Sequence, residues 1–127
     1  MAQSNKIKIL IGEDEKALSR ALELKLSHEG FDVVVADTGE AVLAAMAKEK
    51  FNLLLLDLVM PNKDGFAVLE ELKEKGSTVP VIVTSNLGQE EDKKRVEQFG
   101  VKDYFIKSNT PITEIIAKIK IFLDKNK

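Results

Sequence analysis

Five polar positions, scattered along an otherwise apolar framework, have the types and spacing to do chemistry on a phosphate. They are the adjacent acids Glu13 and Asp14, the lone Asp57 closing the run Leu53-Leu54-Leu55-Leu56, Thr84, and Lys107. A carboxylate at the end of so apolar a run is costly unless something neutralises or uses it. If Glu13, Asp14 and Asp57 converge, each pair about 5 Å apart repels by about 3 kcal/mol at an effective dielectric near 20. Such a cluster calls for a cation. The donors are all oxygens, which selects Mg²⁺ (or Mn²⁺), held by few carboxylates together with waters and a phosphate. With the charge masked, Asp57 is a phosphoryl acceptor, and Thr84 and Lys107 hold charge developing on the peripheral oxygens. The product is an aspartyl phosphate.

Those residues need a scaffold that gathers them, and strand-like and helix-like segments alternate from end to end. Strands are expected at Lys6 to Ile11, Phe31 to Ala36, Leu53 to Asp57, Val79 to Thr84 and Asp103 to Ile106. Four consecutive leucines without polar alternation describe a strand buried on both faces, as in the middle of a parallel sheet. Helices are expected from Glu15 to Glu29, from an Asp37 and Glu40 capping box to Lys48, from Phe66 to Lys75, from Gln89 to Phe99, and after the Thr110-Pro111 start. Gln89 to Phe99 has a thin apolar face, with only Val96 and Phe99, and Leu87 ahead of it, to anchor it. It should be the least firmly held helix. This alternation specifies an α/β fold, a three-layer, doubly wound, five-stranded parallel sheet, whose ligands gather at the carboxyl ends of the strands. The five candidate positions fall at such ends.

Composition narrows the function. The 127 residues suit one domain, residues 1–127 with an ordered core of about 6–124, and no output domain is expected after it. With 19 basic and 21 acidic side chains, the net charge of −2 argues against a nucleic-acid coat. The absence of cysteine removes disulfides and thiolate chemistry and favours a reducing compartment. No signal-peptide or membrane-length apolar run is present, so a cytoplasmic location is expected.

Taken in order, the Glu13-Asp14 pair, Asp57, the Met60-Pro61-x-x-Asp64-Gly65 loop, Thr84, and Lys107 with Tyr104 three residues before it resemble the receiver domain of two-component response regulators. The resemblance runs over essentially the whole chain. It implies a flavodoxin-like sheet of strand order 2-1-3-4-5 and a stand-alone receiver phosphorylated at Asp57 from a phosphohistidine. It also implies Mg²⁺ ligation by Asp14, Asp57 and the Val59 carbonyl, with Glu13 acting mainly through water, and Thr84 and Tyr104 as a switch pair. On phosphorylation the pair would reshape the face formed by the fourth helix, fifth strand and fifth helix. The implied partners are a sensor histidine kinase or histidine phosphotransfer protein and a downstream protein target, without direct nucleic-acid or membrane contact. The chain would be a monomer or a phosphorylation-dependent dimer. Such a domain is no enzyme beyond catalysing its own phosphorylation and dephosphorylation.

One position departs from that pattern. The family usually places proline after its lysine across a cis bond, whereas Ser108 follows Lys107 here, so either a trans bond with a rearranged loop or a strained cis bond is expected. Val59, two residues past Asp57, offers no polar side chain to guide water, which predicts slow self-dephosphorylation.

Within the receiver reading, a phosphorelay intermediate passing phosphate to a histidine phosphotransfer protein fits the same residues equally. Readings outside it compete less well. A haloacid-dehalogenase-like phosphatase needs a second aspartate where Val59 stands. A flavin carrier needs a phosphate loop where Gly12-Glu13-Asp14-Glu15 would repel phosphate. His28-Glu29 superficially resembles a kinase phosphohistidine site, but Gly30-Phe31 ends the helix where that motif must continue.

Overall fold

The computed structural model describes residues 6–125, so the expectation that Met1 to Lys6 carries no signal-peptide run falls, but for Lys6, outside the described residues. The elements run β1 (Lys8–Gly12), α1 (Lys16–His28), β2 (Asp32–Ala36), α2 (Gly39–Lys48), β3 (Leu53–Asp57), α3 (Gly65–Glu74), β4 (Val81–Ser85), α4 (Glu90–Glu97), β5 (Asp103–Ile106) and α5 (Ile112–Lys125). All strand pairs are parallel and the sheet order is β2-β1-β3-β4-β5. The fold is therefore the flavodoxin-like doubly wound sheet expected. No described helix is long and apolar enough to cross a membrane.

The four leucines of β3 explain the layering. Side chains alternate across a strand, so Leu53 and Leu55 join Ile9, Ile11 and Ile82 beneath α1 and α5. Leu54 and Leu56 join Leu10, Val81 and Val83 beneath α2, α3 and α4. Each of the four is fully buried. Full burial of a leucine contributes about 1.5–3 kcal/mol, so β3 anchors both layers. Neither face of this strand could tolerate the polar alternation of a half-exposed one.

Local signals set the boundaries with small shifts. The expected capping box at Asp37 is corrected by one residue: Thr38 is the N-cap of α2, its Oγ1 accepting the Ala41 N–H at 3.0 Å. Asp64 caps α3 in the same way, accepting from Ala67 N–H at 2.9 Å. Gly30, just past α1, adopts φ 97°, a left-handed conformation that stops the helix. Pro80 stands just before β4 and takes part in the sheet as an acceptor, its carbonyl receiving the Leu54 N–H at 2.9 Å.

Helix α4 is the shortest, and Val96 is its one buried residue. Sequence reasoning missed a second anchor. The Arg95 guanidinium lies 3.9 Å from the centroid of the Phe66 ring on α3, a cation–π stack.

Candidate functional site

The strand order decides which side chains meet. β3 lies between β1 and β4, so Asp57 is flanked by the residues that leave β1 and by Thr84, its register partner on β4. Glu13, Asp14 and Asp57 each offer a carboxylate oxygen, and those atoms lie within 4.8 Å of one another. Asp57 and Glu13 are almost fully buried, whereas Asp14 is open to solvent.

Lys107, from the end of β5, crosses the strand ends to join them. Its Nζ lies 3.0 Å from both Glu13 oxygens and 3.3 Å from Asp57 Oδ2. It also meets Glu15 Oε1 at 2.6 Å, a contact sequence reasoning did not foresee. The signal was present, since Glu15 directly follows the acidic pair. Backbone amides supply the remaining order: Glu15 N–H donates to Glu13 Oε2 at 3.0 Å and Val59 N–H to Asp57 Oδ1 at 3.2 Å. The Val59 side chain points outward and is 56% exposed.

The loop after β3 is held by close backbone packing. A Cβ on Gly65 would stand 2.5 Å from the Asp57 carbonyl oxygen, and one on Gly39 would stand 2.1 Å from the Lys63 carbonyl oxygen. Asn62 adopts φ 70°, and Lys63 Nζ pairs with Glu71 at 2.8 Å. Both glycines are steric requirements of the loop that follows Asp57.

Electrostatics follow from this packing. Burial pushes the Asp57 carboxyl above its usual range, the Lys107 ammonium and Val59 N–H oppose the rise, and Asp14 adds to it. Burial raises Glu13 as well, against the Glu15 N–H and Lys107. Burial alone would lower Lys107, but hydrogen bonds to Glu15 and Glu13 and the charge of Asp57 outweigh it, and the net direction is upward. Three carboxylates, those of Glu13, Glu15 and Asp57, thus face a single ammonium, with Asp14 beside them. Hard oxygen donors at this spacing, with negative charge in excess, fit a small divalent cation.

The remaining expected residues sit at the edge of this cluster. Thr84 is buried. Tyr104 is half-buried, packs against the α2, α3 and α4 side, and donates its hydroxyl to the Leu87 carbonyl. In register Thr84 pairs with Phe105 and Tyr104 with Val83, so the two project from opposite pleats. The Lys107–Ser108 bond is trans, as is every peptide bond among the described residues, and Lys107 still reaches Asp57.

The acidic cluster and its lysine lie at the carboxyl ends of the strands, where doubly wound parallel sheets bind their ligands. Residues 9–120 match the family described as Response regulator receiver domain, and the chain belongs to it. The chain is 40% identical over 119 residues to a probable transcriptional regulator ycf27 of Cyanophora paradoxa, covering 94% of this chain and 49% of that protein. It is 32% identical over 123 residues to the transcriptional regulatory protein ResD of Bacillus subtilis (strain 168), covering 97% of this chain and 50% of ResD. The chain spans about half the length of these curated relatives. Among solved structures it is similar to the Francisella response regulator 1452 receiver domain, at TM-score 0.87 and 28% identity, covering 96% and 100% of the two chains. A CheY-like receiver domain protein from Methanospirillum hungatei JF-1 also has TM-score 0.87, with 27% identity and 95% and 96% coverage.

Proposed function

We propose that this receiver domain accepts a phosphoryl group from a phosphohistidine onto Asp57, and that the aspartyl phosphate switches the surface formed by α4, β5 and α5 to control a partner protein. The bond between phosphorus and imidazole nitrogen breaks as one forms to an Asp57 carboxylate oxygen. The observation that carries the reading is Asp57 itself, a buried carboxylate clustered with Glu13 and Asp14 and contacted by Lys107.

Glu13, Asp14, Asp57 and the Val59 carbonyl would hold Mg²⁺ (or Mn²⁺), which neutralises charge on the incoming phosphate when bound. Lys107 then serves a peripheral phosphoryl oxygen, and the Thr84 hydroxyl another. Tyr104 and α4 form the responsive side, because α4 buries only Val96 and is otherwise held by the Arg95 stack on Phe66 and by Lys93 over the Tyr104 ring. The donor is a sensor histidine kinase or a histidine phosphotransfer protein, and the domain catalyses only its own phosphorylation and dephosphorylation, in the cytoplasm. The names of the curated relatives point to transcription as the process served. The target of this chain is a protein surface, met in trans or on a DNA-binding neighbour.

The test is incubation with Mg²⁺ and acetyl phosphate followed by intact mass and borohydride trapping. One phosphoryl adduct at Asp57, lost in Asp57→Asn and without divalent metal, supports the reading. Turnover of a phosphate ester with no adduct would replace it with a phosphatase.

A further inference from the structure

The segments that follow β4 and β5 meet at one side chain. The Lys107 N–H donates to Ser85 O at 2.9 Å, carrying the ladder one residue past the strand. The next amide, Ser108 N–H, donates to Asn86 Oδ1 at 3.0 Å. These two amides bracket the Lys107 Cα, so one peptide plane beside it is held by the last residue of β4 and the other by the residue after it. Beyond them Asn109 N–H turns back onto Ile106 O at 3.0 Å.

That segment is itself fixed. Ser85 Oγ accepts the Leu87 N–H at 3.2 Å, and the Tyr104 hydroxyl donates to the Leu87 carbonyl. Asn86 lies between the two. The Lys107 ammonium must serve Glu13, Glu15 and Asp57 at once from the end of a flexible stem. A small rotation at its Cα is magnified along that stem.

We propose that Asn86 is a positioning residue for Lys107: by accepting the Ser108 N–H it fixes the backbone from which the ammonium reaches Asp57. Asn86 and Ser108 are both exposed, and an exposed hydrogen bond contributes little to global stability. Its effect is local, on the aim of one cation. The same contact links Tyr104 to Lys107, because the turn that carries Asn86 is the one to which Tyr104 is bonded. The kinetic consequence rests on the phosphoacceptor reading; the geometric claim does not.

The experiment compares wild type, Asn86→Ala and Asn86→Asp, the last retaining an acceptor for Ser108. In the metal-free full chain, the Lys107 side-chain NMR signal should shift toward that of a solvated lysine in Asn86→Ala and stay near its wild-type position in Asn86→Asp. Asn86→Ala should slow phosphorylation by acetyl phosphate by about tenfold while Mg²⁺ affinity stays within about twofold, since misaiming one group costs rate more than it costs metal binding. An unmoved Lys107 signal in Asn86→Ala overturns the proposal. So does a parallel fall in melting temperature and Mg²⁺ affinity, which would mark a general structural role. A wild-type chain that takes up no phosphoryl group would defeat the phosphoacceptor reading, and the NMR comparison would still decide this one.

Discussion

Lys107 Nζ and Asp57 Oδ2 stand 3.3 Å apart although 50 residues separate them in sequence. With Glu13 the pair forms a nearly dry ionic cluster at the sheet's carboxyl edge, and its removal has a readable cost. Lys107→Ala leaves two buried carboxylates without their ammonium and should destabilise the metal-free protein by about 3 kcal/mol. Urea denaturation in chelator and in Mg²⁺ checks this, and the loss should be smaller with the metal. Equal losses in both media would show that no cation replaces the lysine.

Asp57→Asn should act in the opposite direction. Burial raises the Asp57 carboxyl, so above its ordinary range the native state binds more protons than the unfolded chain. Stability is then lost as pH rises through the raised value. In chelator, Asp57→Asn should be more stable than wild type near neutral pH, the gap closing as pH falls to the ordinary carboxylate range. Thermal melts of both proteins across that range measure it. The Lys107 contribution runs the other way: its raised value keeps the ammonium charged past the ordinary 10.5 and loses its stabilisation only at higher pH.

Gly39→Ala and Gly65→Ala place a methyl against backbone oxygen rather than a movable side-chain tip. Each should cost about 1–3 kcal/mol. Gly65→Ala should also slow phosphorylation, because the displaced oxygen belongs to Asp57. Normal stability with normal labelling in both variants would mean that the loop yields easily.

Arg95→Ala removes the stack on Phe66 and leaves α4 held by buried Val96 and by Lys93 over the Tyr104 ring. Amide exchange in α4 should accelerate while global stability falls by about 0.5–1 kcal/mol. Hydrogen-exchange mass spectrometry on wild type and variant separates the local effect from the global one.

Val59→Asn would place a polar amide beside the aspartyl phosphate, where the native side chain is exposed and apolar. The acyl-phosphate lifetime should shorten by about tenfold, below the roughly 10²–10⁴-fold of a full general acid or base because an amide only orients the water. Decay followed by mass after donor removal gives the number. A wild-type half-life of seconds would count against the slow decay expected of valine.

Much of the architecture was legible because its signals are local. Leu53 to Leu56 demand burial on two faces, and an aspartate ending them demands an explanation. The acids, Thr84 and Lys107 could be assembled once strand ends were aligned. What escaped is non-local or a single residue in scale. The Asp37 cap belongs to Thr38, a shift that propensity cannot resolve because both residues cap well. Gly39 matters through the Lys63 carbonyl, and Arg95 through the Phe66 ring, contacts that exist only after the chain has closed. The trans bond at Ser108 is compatible with a well-placed Lys107 because Asn86 takes the amide hydrogen that a proline would lack.

Tyr104 and Phe105 are neighbours on the edge strand, yet their rings belong to separate hydrophobic layers, one on each side of the sheet. The Tyr104 ring is thus bordered by the compartment shared with α2, α3 and α4, and the Phe105 ring by the one built on the inner faces of α1 and α5. The edge strand is the seam between the two, and a repacking on its tyrosine side reaches the other compartment only through the strand itself.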